Sequence, residues 1–117
     1  MAKASVEINT IEVENKQVKV VGINGQLVYE TAEDVRNTFS TITNEDNGYI
    51  LNISDVERLD STGIGVLVTF AKRFGNEKSV VVCSNESIKK LLLIAKLDLL
   101  FSIVNTDQEA EQQLKNM

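Results

Sequence analysis

In the segment ERLDSTGIGVLVTFAKRF, Glu57 to Phe74, three small polar residues and two glycines stand in the order Asp60-Ser61-Thr62-Gly63-Ile64-Gly65, between charged residues and an apolar run. Several chemistries suit such a stretch. Asp60 or Ser61 can accept a hydrogen bond from a free N–H in the first turn of a helix, while Gly63 and Gly65 allow close backbone approach. A glycine-rich turn before a helix can cradle a phosphate, but a phosphate loop needs a lysine that STGIGVLV lacks, and the dinucleotide spacing GxGxxG also fails. Asp55, Glu57 and Asp60 offer hard oxygen ligands, without the spacing of a calcium loop. Finally, Ser61 at an exposed helix mouth is reachable by a kinase. A phosphate there adds about −1.5 to −2 charges at the end of a helix that tolerates them.

The rest of the chain narrows these options. It has 117 residues, no histidine, and a single cysteine, Cys83, in the apolar stretch SVVVCS. The usual general bases and zinc sites are therefore missing, and Cys83 reads as a buried strand residue. Twelve basic against seventeen acidic residues give a net charge of −5 with no basic block, which argues against nucleic acid and anionic membranes as partners. The longest apolar runs, Ile64 to Ala71 and Leu91 to Ala95, fall short of the roughly 18 residues of a membrane helix. The opening MAKASVEINT has no apolar signal core. These features predict a single cytoplasmic domain spanning residues 1–117, and no cofactor is expected.

The positioning elements follow from periodicity. Val6, Ile8 and Ile11 or Val13, then Val18, Val20 and Val21 across a turn at Glu14 to Lys16, predict an antiparallel hairpin. Asn24-Gly25 is a turn signal, after which Thr31 can cap a helix with Glu33 and Asp34 in its first turn and Val35, Phe39 and Ile42 on its inner face. NEDNG should end it. Tyr49, Ile50, Leu51 and Ile53 predict a short strand buried on both faces, with Asp55 and Glu57 in a following loop. The helix after Ser61 carries two stripes. One holds Ile64, Leu67, Val68 and Ala71; the other, Val66, Phe70 and Phe74, is further core or a docking surface. A strand in SVVVCS leads to a helix that begins at Ser84 or Asn85 and buries Ile88, Leu91, Leu92 and Ala95. A short strand in LFSIV follows, then a terminal helix from Thr106 with Ala110 and Leu114 inside. Strands alternating with helices predict right-handed crossovers and an α/β fold, a mixed four- to five-stranded sheet covered by about four helices.

LNISDVERLDSTGIGVLVTFAKRF resembles the signature of STAS domains, the bacterial anti-sigma factor antagonists, in which an apolar strand leads into Asp-Ser-Ser/Thr-Gly-Leu/Ile-Gly-Val. The downstream SVVVCSNESIKKLLLIAKLDLLFSIVNTDQEAEQQL is similar too. The resemblance implies a non-enzymatic partner switch: unphosphorylated, the protein binds an anti-sigma factor that is also a serine kinase, and frees a sigma factor. Phosphorylation ends that binding, and a PP2C-type phosphatase restores it. Carried over, the acceptor is Ser61, and Asp60, Ser61, Thr62, Gly63, Ile64 and Gly65 form the partner-binding stretch. The chain departs from the family at GQLV, Gly25 to Val28, where GELD is usual, and at AKLD, Ala95 to Asp98, where a glycine commonly precedes the leucine. An alternative with the same fold is a structural STAS subunit of a signalling scaffold or transporter complex, without a phospho-switch. A weak homodimer is left open.

Overall fold

The hairpin forms between β1 (Ala4–Val13) and β2 (Lys16–Leu27), which pair antiparallel from Ala4↔Gly25 to Val13↔Lys16. The turn residues Glu14 and Asn15 have φ of 47° and 69°, the left-handed pair that matches the twist of a two-residue hairpin. In this computed structural model, which describes residues 1–43, 46–75 and 78–116, the chain continues through α1 (Tyr29–Phe39), β3 (Gly48–Leu59), α2 (Ser61–Phe74), β4 (Ser79–Val82), α3 (Glu86–Ile94), a 3-10 turn at Leu97–Leu99, β5 (Ser102–Val104) and α4 (Asp107–Lys115). Strand order is β1-β2-β3-β4-β5, parallel from β2 onward. The expected mixed α/β sheet with four helices is thus present.

Two apolar layers sandwich the sheet. On one side Val21, Ile23, Tyr49, Leu51, Ile53 and Val81 meet α1, α2 and α3. On the other, Val18, Ile50, Val80 and Val82 meet Ala110 and Leu114 of α4. The strand run from Tyr49 to Ile53 is therefore buried on both faces, as expected of a central parallel strand. On β1 the apolar alternation changes sides: Ala4 and Val6 pack with the three-helix layer, Ile11 and Val13 with α4. Both stripes of α2 prove to be core. Val66, Phe70 and Phe74 are buried, and Ile64 and Val68 are half-buried beside Leu67 and Ala71. Phe70 meets Phe39 edge to face at 5.1 Å and Phe74 at 4.7 Å between ring centroids, and Phe74 meets Tyr49 of β3 at 4.3 Å, a cluster that holds α2 against α1 and β3.

Several boundaries differ from expectation. Asn24-Gly25 is no turn but lies inside β2, because pairing with β1 on one side and β3 on the other outweighs the local signal. Asp55 and Glu57 lie on β3, which runs seven residues beyond Asn52, its last residue paired with β4. Two extra residues enter β3 against β2, between the Gly22↔Asn52 and Asn24↔Asp55 pairs and between Gly25↔Val56 and Gln26↔Arg58. The first of these bulges turns Ile53 and Val56 to the same core although their spacing breaks strand alternation. Helix α1 starts at Tyr29, so Thr31 is its third residue, and Glu30 rather than Glu33 or Asp34 occupies the first turn. It ends at Phe39, ahead of NEDNG, of which Asn44 and Glu45 lie outside the described residues; Ile42 is buried just past the helix. In α3, Ile88 and Leu92 are buried in the core, whereas Leu91 and Ala95 are exposed. Asn85 caps α3 and Thr106 caps α4. Cys83 is buried just beyond β4, and burial pushes its thiol above the ordinary value, which makes it unreactive.

Candidate functional site

Strand β3 delivers the motif to the surface. Asp60, extended at φ −109°, caps α2: its Oδ1 accepts the Gly63 N–H at 2.9 Å. Its Oδ2 accepts the Tyr29 N–H at 3.0 Å, so the same carboxylate also holds the first residue of α1. One side chain therefore ties two helix N-termini together. The Gly63 N–H above all, then those of Tyr29 and Thr62 and the Arg58 guanidinium, hold the Asp60 carboxyl below its ordinary 3.8 against the opposing effect of burial.

This capping replaces what α1 lacks. Val28 occupies the cap position of α1 and has no side chain that can accept a hydrogen bond; it is buried in the core instead. The Thr31 hydroxyl oxygen accepts the Val28 N–H at 3.1 Å and its proton is donated to the Gln26 carbonyl at 2.6 Å. The first turn of α1 is thus completed from Asp60, across the fold. Asp60→Ala is expected to lower stability by about 1–2 kcal/mol, the upper part of the range for a lost cap because two helices lose a partner. The pH dependence has a definite sign. With the folded value depressed, the Asp60 contribution is full above 3.8 and is lost as pH falls below it, through the folded value. Urea denaturation followed from neutral pH down to well below 3.8 should show the gap between wild type and Asp60→Asn closing only at the acid end. A gap that stays constant throughout would mean that the bonds do not form.

Ser61 is the first residue of α2. It is exposed, and among the described residues its hydroxyl has no hydrogen-bond partner. Thr62, beside it, is half-buried. Gly63 is buried against the end of β2, where a Cβ would lie 2.1 Å from the Leu27 carbonyl oxygen. Ile64 and Gly65 are half-buried, and a Cβ at Gly65 would lie 3.7 Å from the Arg36 guanidinium. The cation site weighed from Asp55, Glu57 and Asp60 is not assembled: among the described residues no three acidic, histidine or cysteine side chains converge, and both Asp60 oxygens already hold backbone N–H groups. No helix among the described residues is long and apolar enough to cross a membrane. Sequence reasoning missed Tyr29, which is 74% exposed next to the Asp60 bridge. Its only sequence signal was an aromatic residue just before an amphipathic pattern.

A mixed sheet whose central strand leads into an aspartate-capped helix mouth, with an exposed serine at the first helical position, defines a small α/β domain with that mouth at its surface. Residues 9–110 match the family model described as STAS domain, and the chain belongs to that family. A protein of Thermotoga maritima, named as a candidate anti-sigma factor antagonist, is 31% identical over 71 residues, 59% of this chain and 63% of that one. The match thus spans less than two-thirds of that relative's length. An anti-sigma factor antagonist from Mycobacterium paratuberculosis superposes with a TM-score of 0.85 at 19% identity, covering 97% of this chain and 95% of the other. The Bacillus cell fate determinant SpoIIAA in its phosphorylated form gives 0.65 at 17% identity, covering 94% and 99%. At these identities the two structures show a shared fold.

Proposed function

We propose that this protein is a non-enzymatic anti-sigma factor antagonist of the cytoplasm. Its unphosphorylated form binds an anti-sigma factor serine kinase and releases a sigma factor; phosphorylation of Ser61 ends the binding, and a PP2C-type phosphatase restores it. The observation that carries this reading is the placement of Ser61, an exposed hydroxyl at the first position of α2 with no hydrogen-bond partner among the described residues. Asp60 fixes that position from two sides, so the hydroxyl is presented rigidly to a kinase. The relative named above supports the assignment of the class.

Asp60, Ser61, Thr62, Gly63, Ile64 and Gly65 form the partner-binding stretch, with Tyr29 as its exposed aromatic neighbour. Aromatic side chains of this kind anchor interfaces because they bury a large area at low entropic cost. In a mixture with a candidate anti-sigma factor serine kinase and ATP, the wild type should take up phosphate on Ser61 and Ser61→Ala should take up none. Label on Thr62 in place of Ser61 would overturn the assignment. A complex that forms equally well with and without ATP would instead indicate a structural STAS subunit.

A further inference from the structure

We propose that two copies of this chain associate through the outer edge of β1, continuing the sheet across a twofold axis that passes between Ile8 and its counterpart in the second copy. The hairpin geometry decides which residues are available. A two-residue turn at Glu14 and Asn15 makes Val13 and Lys16 the hydrogen-bonded pair that closes the ladder. Bonding then alternates along β1, so Ala4, Val6, Ile8, Thr10 and Glu12 direct their N–H and C=O groups away from β2. The register with β2 is continuous over all ten residues, and among the described residues no strand lies beyond β1. The strand contains no proline that would blunt this edge.

The side chains favour one occupant, a second copy in antiparallel register about Ile8. There Ile8 meets Ile8 of the second copy, Val6 meets Thr10, Ala4 meets Glu12, Ser5 meets Ile11, and Glu7 meets Asn9, so no like charges stand directly opposite. Each of the five outward residues both donates and accepts a main-chain bond. Ile8 is 37% exposed in the single chain, on the face where Ala4 and Val6 pack into the core. Pairing would cover it with its own copy and extend that apolar layer. A register centred on Asn9 would place Val6 against Glu12 and Glu7 against Ile11, and loses this match. One repulsion remains, between the two Glu7 side chains diagonally across the axis, about 7–8 Å apart. The interface is small, so the dimer is concentration-dependent.

Sedimentation equilibrium of the full chain should show a dimer that Ile8→Lys weakens at least about tenfold, by opposing like charges on the axis. Mixing Ile8→Lys with Ile8→Glu should restore it as a heterodimer, which a misfolded variant could not do. Glu7→Gln should tighten association. Because the native Cys83 is buried, Ile8→Cys should form a disulfide between copies under mild oxidation, since hydrogen-bonded pairs sit about 5.5 Å apart at Cα. Thr10→Cys should not, because the two Thr10 residues lie on opposite sides of the axis. A chain that stays monomeric at the highest concentration, a dimer indifferent to Ile8→Lys, or cross-linking through Thr10→Cys instead of Ile8→Cys would overturn the proposal. None of these results bears on Ser61, which lies on α2.

Discussion

Gly63→Ala is expected to destabilise the fold by about 3 kcal/mol or more, whereas Gly65→Ala, two residues on in the same motif, is expected to stabilise it by about 0.5–1 kcal/mol. The difference lies in what each added methyl would meet. At Gly63 it would stand 2.1 Å from the Leu27 carbonyl oxygen, 3.0 Å from the Leu27 carbonyl carbon and 2.8 Å from Leu59 Cδ1. The first two are backbone atoms of a fully buried residue whose strand is paired to β3 through Leu27↔Leu59, so they cannot swing aside as a side chain would. Relief requires α2 to lift off the end of β2, which would also break the Asp60 bond to the Gly63 N–H. At Gly65 the nearest atom is Arg36 Nη2 at 3.7 Å, an ordinary contact, and the helix gains from losing a flexible residue. Urea denaturation of both variants checks this. Equal destabilisation by both would show that the space at Gly63 is not what matters. If Gly65→Ala is stable yet binds the kinase poorly, that glycine serves close approach of a partner.

The parts of the fold legible in the sequence are those set by local periodicity and local chemistry. The hairpin turn at Glu14 to Lys16, the inward Ala110 and Leu114, and the Thr106 cap of α4 each depend on residues within a few positions of one another. Strand β3 outlasts its apolar run for a specific reason. Past Asn52 it is no longer paired with β4, and Asp55, Glu57 and Arg58 are exposed, so the doubly buried pattern ends near Ile53 while pairing with β2 continues to Leu59. Asn24-Gly25 misled in the opposite sense: Gly25 does adopt a positive φ of 96°, but inside a strand, where a side chain would collide with the Lys3 carbonyl. At the site, Asp60 was legible as a helix cap, because Gly63 is three residues away. Its second bond joins residues 31 apart and follows only from the way β2 and β3 end side by side. Val28 likewise gains its meaning from this bond. The acid missing from the cap of α1 is supplied by Asp60.

Ser61→Asp is expected to weaken binding to the anti-sigma factor kinase severely, and the phosphorylated chain to bind about a thousandfold more weakly than the unmodified one, with no loss of fold stability in either. Two effects act at the same atom and have opposite signs. Within the free protein, negative charge at the first position of α2 lies at the positive end of the helix and contributes about 0.3–1 kcal/mol of stability. Within a complex, the same charge must leave water. An unpaired buried charge costs several kcal/mol, and about 4 kcal/mol corresponds to a factor of a thousand in Kd. The interface term exceeds the helix term, so affinity falls while the melting temperature holds or rises. The phosphate carries about −1.5 to −2 charges against −1 for the carboxylate, so the phosphorylated chain should lose more affinity than the aspartate variant. Ser61→Ala removes an exposed hydroxyl that has no partner among the described residues and should bind like the wild type. Titration calorimetry with the kinase, paired with thermal denaturation of each form, separates the two effects. Weak binding accompanied by a lowered melting temperature would assign the switch to unfolding of the α2 mouth, and undiminished binding by the phosphorylated chain would remove Ser61 from the interface.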